Sequence, residues 1–336
     1  MKNILLTGGL GYIGSHVCIE LINKGYEVII IDNLCNSSIE VLKRIKIITG
    51  VSPIFYEKDI RDKATLIEIF NKHAIKSVIH FAGLKSISES LDKPISYYDN
   101  NLIGTINLLT IMAKVNCKSI VFSSSATVYG NTQDSPIREN SPLSANNPYG
   151  QSKLLIERLL QDLYISDNEW KIAILRYFNP AGAHESGLIG ESSIGIANNL
   201  FPNVLKVANA KLAKLSIFGN DFNTNDGTGV RDYIHVVDLA KGHLKALKAI
   251  KSGSKVLVVN LGTGEGYSVL DVVREFESVS NKKIPYEFLG RRVGDIYTCF
   301  ADPSLALKLI DWKAEYGLSQ MCKDSWKWEL LNPNGY

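Results

Sequence analysis

The sequence predicts an α/β protein built on a doubly wound parallel sheet, with a smaller C-terminal lobe. In the first half of the chain, short apolar segments typical of buried strands alternate with amphipathic helical segments. The first strand segment, residues 4–7, leads directly into a glycine-rich turn and a helix. Beyond Gly182 the alternation weakens into glycine-rich and polar stretches, which predicts the second lobe.

Composition limits the class of protein. The chain has 336 residues, of which 45% are apolar, enough for one large or two ordinary domains. The net charge is +3 and is spread along the chain, so we predict no nucleic-acid partner. No apolar run approaches the ~18 residues of a membrane span, and no signal-peptide pattern precedes the first strand, so we expect a cytoplasmic protein without a membrane partner. Scattered cysteines and histidines suggest neither disulfides nor a bound metal.

The turn after the first strand carries Gly8, Gly11 and Gly14 in the spacing G-x-x-G-x-x-G. In such a unit the first glycine permits a tight turn, the second lets the backbone approach a pyrophosphate, and the third lets the helix pack closely on the strand. The second buried strand ends at Asp32, where the ribose hydroxyls of NAD lie in this arrangement. A carboxylate there disfavours the 2′-phosphate of NADP, so we predict NAD as cofactor. The alternative is that Asp32 only caps the next helix.

The elements that follow continue the alternation. Strands are predicted over residues 53–56, 77–81, 118–123 and 171–177, and helices over residues 39–48, 64–71, 100–115 and 149–163. Helix 100–115 is apolar on more than one side, which predicts burial on both faces, the second against another subunit. Ligands of such sheets bind at the carboxyl ends of the strands, so Asp59, Ile60 and residues 81–85 are candidate cofactor contacts.

A proton-handling pair is predicted at Tyr149 and Lys153. Asn147 suits a helix N-cap and Pro148 the first helical position, so the pair lies four residues apart on one helix face. An ammonium within about 4–6 Å favours the tyrosinate, as does a nicotinamide cation, which makes Tyr149 a usable general base. The pattern alone also suits an amphipathic surface helix. The hydroxyls at residues 123–127, at the end of the preceding strand, are the context that favours catalysis.

Three motifs in order carry a resemblance to a known family: TGGLGYIG at residues 7–14, SSSATVYG at 123–130 and YGQSK at 149–153. With them the chain resembles the extended short-chain dehydrogenase/reductases, and among these the UDP-galactose/UDP-glucose 4-epimerase family. The likeness runs nearly end to end and includes the motifs DNLCN at residues 32–36, HFAGLK at 80–85, YYDNN at 97–101, RYFNP at 176–180 and GTGVRDYIH at 227–235.

The resemblance implies a particular division of the chain. An NAD-binding Rossmann domain is expected at residues 1–180, and a mainly UDP-sugar-binding lobe at residues 181–336. A strand pattern at residues 256–260 indicates that later segments, including about residues 232–262, return to the first domain. The resemblance also implies a homodimer.

The chemistry implied by the resemblance is inversion of the sugar at C4. Tyr149 is expected to remove the proton of the 4-hydroxyl while hydride passes from C4 to NAD. A transient 4-keto sugar then turns over about its phosphate link and takes the hydride back on its other face. Ser125 is expected to hydrogen-bond the sugar O4, and Lys153 to hold the nicotinamide ribose and lower the pKa of Tyr149.

Two sets of binding residues complete the implied site. The predicted cofactor contacts are Gly8, Gly11, Tyr12, Ile13, Gly14, Asp32, Asn33, Asn36, Ser37, Asp59, Ile60, Phe81, Ala82, Gly83, Lys85, Asn100, Ser123, Tyr149, Lys153, Tyr177 and Phe178. The predicted substrate contacts are Lys85, Ser125, Tyr149, Asn179, Asn199, Leu200, Ser216, Phe218, Arg231, Tyr233, Arg292, Asp295 and Cys299. Arg231 and Arg292 are expected to clamp the diphosphate, because a guanidinium presents paired donors to phosphate.

Two alternatives from other classes share part of this pattern. A sugar-nucleotide 4,6-dehydratase needs an acid and a base, normally Asp-Glu, after the strand-end hydroxyl, where this chain has Ala126 and Thr127. A non-catalytic NAD-binding protein has no need of Tyr149 and Lys153. We therefore predict an NAD-dependent UDP-hexose 4-epimerase.

The choice of sugar is predicted from Cys299. In the resembling family this position lines the pocket near the sugar C2 substituent, and members with Tyr there favour simple hexoses. A Cys leaves room for an N-acetyl group, so we predict use of UDP-GlcNAc/UDP-GalNAc as well as UDP-Glc/UDP-Gal. The alternatives are an epimerase restricted to UDP-Glc/UDP-Gal, with Cys299 merely a small buried residue or Tyr297 refilling the space.

Overall fold

The computed structural model describes residues 3–132, 135–192, 199–292 and 295–336. Residues 193–198 of the predicted second lobe lie outside these ranges. The strands are β1 (Asn3–Thr7), β2 (Glu27–Asp32), β3 (Ile54–Glu57), β4 (Ser77–His80), β5 (Ser119–Ser123), β6 (Lys171–Tyr177), β7 (Asn179–Ala181), β8 (Leu215–Phe218), β9 (Val230–Arg231), β10 (Tyr233–His235), β11 (Val256–Leu261), β12 (Tyr267–Ser268), β13 (Tyr286–Leu289) and β14 (Thr298–Cys299).

The helices predicted at residues 39–48, 64–71 and 149–163 are found within three residues of those bounds. The helices of the described residues are α1 (Tyr12–Asn23), α2 (Glu40–Thr49), α3 (Lys63–Lys72), α4 (Ile87–Asp92), α5 (Pro94–Tyr97), α6 (Gly104–Lys114), α7 (Pro148–Ser166), α8 (Leu200–Ala208), α9 (Val236–Lys251), α10 (Val269–Ser280), α11 (Ser304–Ile310) and α12 (Leu318–Leu331). A π-helix, Tyr98–Ile103, precedes α6, and a 3₁₀ helix, Ala126–Tyr129, follows β5. Among the described residues, no helix has the length and apolar character needed to span a membrane.

Seven of the strands form one parallel sheet in the order β11-β6-β5-β4-β1-β2-β3. Successive residues of each strand face opposite sides, so Ile4 and Leu6 contribute to one apolar core and Leu5 to the other. Helices α1, α2, α9 and α11 cover the first side, and α3, α6 and α7 cover the second. The doubly wound parallel sheet predicted from the sequence is therefore confirmed.

Outside the seven-stranded sheet, the described residues form smaller sheets and further helices, mostly within the segment predicted as a second lobe. Strand β8 pairs with β13, β7 pairs with β10, and β9 lies between β12 and β14. Helices α8, α10 and α12 contribute Phe201, Val204, Phe276 and Met321 to a third apolar core. Strand β11 pairs with β6 along its whole length, so the chain re-enters the main sheet after its first excursion into this lobe.

One predicted element differs in kind. Residues 100–115 were expected to form one regular helix, but the stretch begins as a π-helix and becomes α-helical only at Gly104. The wider turn accompanies an inward position of Asn101, whose side chain is 1% exposed and bonds to the loop after β4. The spacing of apolar residues along a helix does not predict such a contact, because the partner lies on another element.

Candidate active site

The glycine loop between β1 and α1 provides a bare backbone surface. Gly8 has φ +68°, and a Cβ there would lie 2.7 Å from the backbone nitrogen of Ala82. A Cβ on Gly14 would lie 2.4 Å from the Gly8 carbonyl oxygen, whereas one on Gly11 would meet only that same oxygen, at 3.4 Å. The first and third glycines thus serve the turn and the packing. The second leaves the N-terminus of α1 open to an anionic group such as a pyrophosphate.

Asp32 ends β2 and is buried beside this loop. Its Oδ2 accepts a hydrogen bond from the backbone N–H of Leu10 at 3.0 Å. Its Oδ1 accepts from the N–H of Leu34 at 3.0 Å and from the Ser37 hydroxyl at 2.8 Å. A carboxylate has about four acceptor positions, so Oδ2 keeps capacity for a ribose hydroxyl. Asp32 therefore fixes the loop as well as facing the predicted cofactor position.

An ionic cluster stands at the carboxyl ends of β2 and β3. Asn33 donates from Nδ2 to Asp59 at 2.9 Å, and Arg61 pairs with Asp59 at 2.7 Å and with Asp99 at 2.5 Å. The hydrogen bonds from Arg61 lower the pKa of Asp59 to about 2. This end of the site is thereby tied to the π-helix that contains Asp99 and Asn100.

Asn101, which the sequence analysis did not single out, holds the loop after β4. Its Oδ1 accepts from the N–H of Leu84 at 2.8 Å, and its Nδ2 donates to the Leu84 carbonyl and to the Ser152 hydroxyl, each at 3.1 Å. The predicted cofactor residue Asn100 donates to Asn101 at 3.0 Å. Two adjacent asparagines in a helical stretch are the signal that could have pointed to this position, because asparagine is a poor helix former.

Helix α7 begins as its sequence predicts. Asn147 is the N-cap and accepts from the N–H of Gly150 at 2.8 Å, and Pro148 occupies the first helical turn. Both Tyr149 and Lys153 are buried. The Nζ of Lys153 lies 6.0 Å from the centroid of the Tyr149 ring and donates to the Ser123 carbonyl at 2.8 Å. The structure therefore brings the proton-handling pair onto the end of β5.

Burial changes the acidity of both groups. It lowers the pKa of Lys153 to about 8, with the charge of Glu157 opposing the change. It also raises the pKa of Tyr149, with a hydrogen bond from Ser125 acting in the opposite direction. Desolvation raises this pKa because it penalises the tyrosinate, and the opposing hydrogen bond comes from Ser125. The lowering of the Tyr149 pKa by Lys153 stays a prediction.

The three serines that end β5 and follow it have separate partners. The Ser123 hydroxyl lies 3.0 Å from Nε2 of His243, Ser124 donates to Glu157, and Ser125 interacts with Tyr149. Ser123 also hydrogen-bonds Tyr177, whose pKa burial raises. Two other predicted cofactor residues lie nearby: Phe81 has its ring 4.9 Å from that of His243, and Phe178 packs in the cluster that contains Leu154.

The second lobe brings several predicted substrate residues together in pairs. Register places Cys299 of β14 beside Arg231 of β9, and Asn179 of β7 beside Tyr233 of β10. Cys299 also packs against the apolar cluster that includes Phe178, which connects this pair to the first lobe. Burial raises the pKa of the Cys299 thiol to about 11, so Cys299 is a neutral, space-filling side chain.

Further predicted substrate residues lie on β8, at or before the start of α8 and in the segment after β13. The Arg292 guanidinium stacks 3.9 Å from the Phe218 ring centroid, and Asp295 donates its N–H to the Arg292 carbonyl at 3.2 Å. Glu191, absent from the predicted set, accepts from Lys85 of the first lobe at 3.1 Å and from Asn199 of the second at 3.2 Å. Leu200 is the first residue of α8, and Ser216 lies exposed on β8, two positions before Phe218.

The remaining predicted cofactor residues lie at several points near the carboxyl ends of the strands. Tyr12 donates from its hydroxyl to the Gly182 carbonyl at 2.6 Å, and Ile13 packs against the first core. Ile60 is buried after β3, and Asn36 is exposed in the turn after β2. A Cβ on Gly83 would lie 3.8 Å from the Lys153 Nζ, so the loop after β4 reaches the proton-handling pair.

A Rossmann sheet with this glycine loop, an acidic end to β2 and a buried Tyr-x-x-x-Lys pair defines a short-chain dehydrogenase/reductase of the extended type. A family model described as GDP-mannose 4,6 dehydratase matches residues 5–325. The UDP-glucose 4-epimerase of Bacillus subtilis (strain 168) is 57% identical over 99% of this chain and 98% of its own. The chain belongs to the UDP-glucose 4-epimerase family, which confirms the resemblance found in the sequence.

Solved structures agree with this assignment. The UDP-glucose 4-epimerase from Bifidobacterium longum in complex with NAD⁺ and UDP has a TM-score of 0.95 and 51% identity, covering 100% of both chains. The UDP-Glc/GlcNAc 4-epimerase from Campylobacter jejuni has a TM-score of 0.87 and 35% identity, covering 98% of this chain and 100% of that one.

Proposed function

We propose that this protein, an NAD-dependent UDP-sugar 4-epimerase by its family, inverts C4 of both simple and N-acetylated UDP-hexoses. The observation that carries the proposal is the buried Tyr149–Lys153 pair, held against the end of β5 at the same sheet edge as the glycine loop. A base at a dry position next to a nucleotide cradle suits proton removal coupled to hydride transfer.

The fit to NAD rests on the cradle itself. Gly8 and Gly14 permit the tight turn and the close packing of α1, Gly11 leaves the N-terminus of α1 open, and Asp32 keeps acceptor capacity for a ribose. Lys153 is the residue we assign to the nicotinamide ribose. Bound NAD supplies the acceptor and donor of hydride in each turnover, so no added oxidant is needed.

The proton at the sugar 4-hydroxyl is assigned to Tyr149. Its hydroxyl interacts with that of Ser125, which supports our assignment of both groups to the same sugar oxygen. Burial alone keeps the phenol protonated, and a cationic nicotinamide ring beside it acts in the opposite direction. Tyr149 can therefore act as a base when the cofactor is oxidised, and it returns the proton as the 4-keto sugar is reduced.

The sugar must present both faces of C4 while its nucleotide stays bound. Arg231 and Arg292 are the proposed diphosphate clamps, and both lie in the second lobe. On the first-lobe side we assign Lys85 as the corresponding cation, and its ammonium forms an ion pair with Glu191. Anchoring at the nucleotide end leaves the hexose free to rotate about its phosphate link.

The use of N-acetylated sugars rests on Cys299. It lies beside Arg231 and against the cluster containing Phe178, so it borders the region between the diphosphate clamp and the end of β6. A small side chain there leaves volume for a C2 N-acetyl group. The structural neighbour from Campylobacter jejuni is described as a UDP-Glc/GlcNAc 4-epimerase, which supports this part of the proposal. The restricted UDP-Glc/UDP-Gal epimerase is the second candidate.

The deciding experiment measures turnover of purified UDP-Glc, UDP-Gal, UDP-GlcNAc and UDP-GalNAc by the wild-type protein and by Cys299→Tyr. We expect the wild type to convert all four. Cys299→Tyr should lower kcat/KM for the N-acetylated pair by roughly 10²-fold and leave the simple pair within about tenfold, because a phenol fills the space.

Cys299→Ser is the matched control for this experiment, since it keeps the small volume and should retain both activities. A wild-type enzyme inert toward the N-acetylated pair, or equal losses on both pairs in Cys299→Tyr, refutes the role proposed for Cys299.

We also propose a homodimer and a cytoplasmic location. Ile103, Ile106 and Leu155 are 45%, 38% and 36% exposed on the π-helix, α6 and α7, although all three are large and apolar. A shared apolar face on neighbouring helices is typical of a subunit contact. The five cysteines are free thiols, which fits a reducing compartment.

A further inference from the structure

Helix α7 meets the end of β5 through one stripe of residues spaced by four. Tyr149 interacts with the Ser125 hydroxyl, Lys153 donates to the Ser123 carbonyl, and Glu157 accepts from the Ser124 hydroxyl. Residues four apart lie on one helix face, so the three contacts form a continuous seam. The proposed mechanism uses Tyr149, Lys153 and Ser125 but gives no role to Glu157.

Glu157 is a buried charge with a built environment. Its side chain is 1% exposed and forms an ion pair with Arg176 of β6, Nη2 to Oε2, at 2.6 Å. The Nε of Arg176 lies 3.1 Å from both carboxylate oxygens. Arg176 also donates to the Tyr129 hydroxyl at 3.1 Å and to the Glu139 carbonyl at 3.0 Å. A buried carboxylate held by so many donors is fixed in position, because releasing it would leave charges unpaired.

The groups packed around Lys153 show which charge acts on it. His80 of β4 and His243 of α9 have their pKa values lowered by burial to about 3 and about 4, so both are neutral at pH 7. Burial raises the pKa values of the phenols of Tyr149 and Tyr177, so both remain protonated in the protein alone. Glu157, one helical turn beyond Lys153, is the group that opposes the loss of its charge.

We propose that Glu157 is a positioning residue for the Tyr149–Lys153 pair, holding the end of β5 against α7 and keeping the Lys153 ammonium charged. The proposal rests on the proposed proton-handling role of Tyr149. It assigns Arg176 the task of fixing Glu157 from β6, so the sheet itself sets the position of the pair.

A change in proton distribution follows from this role. When the Tyr149–Lys153 pair has lost one proton, it exists either as tyrosinate with ammonium or as phenol with amine, and only the first can act as base. Glu157 is nearer to Lys153 along the helix, so its negative charge favours the first form. A neutral residue at this position shifts the pair to the inactive form. It also lets the first proton leave at lower pH, because a negative charge that raises both pKa values is gone.

The test is the pH dependence of kcat in Glu157→Gln, which keeps the shape of the side chain and removes its charge. We expect the plateau kcat to fall about tenfold or more, with KM within about threefold and bound NAD retained. The acidic limb of the profile should move to lower pH. Glu157→Asp retains the charge and should keep the limb at the wild-type position.

Glu139→Gln is the matched control, since Glu139 is a half-buried carboxylate in the same region that bonds to the backbone of Asn260 and not to α7. It should retain the wild-type profile. A Glu157→Gln variant with wild-type kcat, or one with an unmoved acidic limb, overturns the proposal. A wild-type protein without epimerase activity would instead refute the proposed function, so the two failures are distinguishable.

Ser124→Ala is a second variant that tests the positioning role if Glu157→Gln does not fold. It removes the contact to the end of β5 and leaves the Glu157–Arg176 ion pair intact, so folding is expected. We expect kcat to fall about threefold or more, while the acidic limb of the pH profile stays at its wild-type position. Wild-type kcat in both Ser124→Ala and Glu157→Asp would overturn the positioning role.

Discussion

At the scale of single residues, the site depends on keeping a charge where burial disfavours it. Lys153 has its pKa lowered to about 8 by burial, yet its ammonium donates to the Ser123 carbonyl and faces Glu157. Tyr149 on the same helix face has its pKa raised by burial. In the proposed mechanism, Tyr149 therefore acts as a base only when a further positive charge, such as an oxidised nicotinamide ring, is bound beside the phenol.

Replacing Tyr149 by Phe tests the base directly. Tyr149→Phe keeps the packing of the ring and removes the phenol oxygen, so kcat should fall about 10²–10⁴-fold while UDP still binds. Steady-state turnover of UDP-galactose and calorimetric titration with UDP measure the two effects. Tyr164→Phe, on the same helix and half-buried, is the control and should behave as wild type. Near-normal turnover in Tyr149→Phe would require another base.

The residues that could be predicted are those whose signal is local. Tyr149 and Lys153 follow from a spacing of four, and Asn147 with Pro148 follows from helix-capping rules. Glu157 lies on the same face of α7, but the sequence alone does not distinguish it from any other charged residue of an amphipathic helix. Its role depends on Arg176, which comes from another element, and no local pattern contains that pairing.

At the scale of elements, the π-helix before α6 connects two ends of the proposed cofactor site. Asp99 within it receives Arg61 from the end of β3, and Asn101 holds the Leu84 backbone after β4. A π-helix turns its side chains differently from an α-helix, so one short element can serve both contacts. The sequence pattern predicted a helix here but not its kind, because the inward asparagine depends on a partner 17 residues away.

This coupling predicts different outcomes for two neighbouring asparagines. Asn101→Ala leaves the Leu84 amide and carbonyl without their partner, so the free energy of unfolding of the NAD-free protein should fall by about 1–3 kcal/mol, as measured by urea denaturation. NAD retention should fall as well, since the loop carries Ala82 and Gly83. Asn100→Ala is the comparison and should leave stability nearly unchanged, because Asn100 bonds only to the side chain of Asn101 among the contacts described. Equal stability in both variants would exclude this role for Asn101.

At the scale of the whole molecule, one carboxylate ties distant segments together. Asp232 is fully buried between β9 and β10, and it accepts from the N–H groups of Thr263, Gly264 and Ala301. These donors follow β11 and β14, so the main sheet and the second lobe share one polar centre. The weakening of the strand–helix alternation predicted a second lobe. Its connections depend on contacts between residues that lie 31 to 69 positions apart, and no periodic pattern in the sequence predicts such contacts.

The proposed dimer gives a prediction at the same scale. Ile106→Glu places a charge in the exposed apolar face of α6, so the protein should sediment as a monomer where the wild type sediments as a dimer. Ile47→Glu is the control, because Ile47 is 68% exposed on α2, which covers the other side of the sheet. A wild-type monomer, or a dimer unaffected by Ile106→Glu, would rule out this face as the contact.

The return of β11 to the main sheet has a consequence for the growing chain. Strand β6 leaves the ribosome before the whole excursion that contains α8 and α9, and its outer edge pairs only when β11 follows. At about 5–20 residues per second, that edge stays open for on the order of ten seconds. An open strand edge recruits foreign strands. We therefore expect the yield of folded protein to depend on how well the nascent chain is shielded until residues 256–261 have emerged.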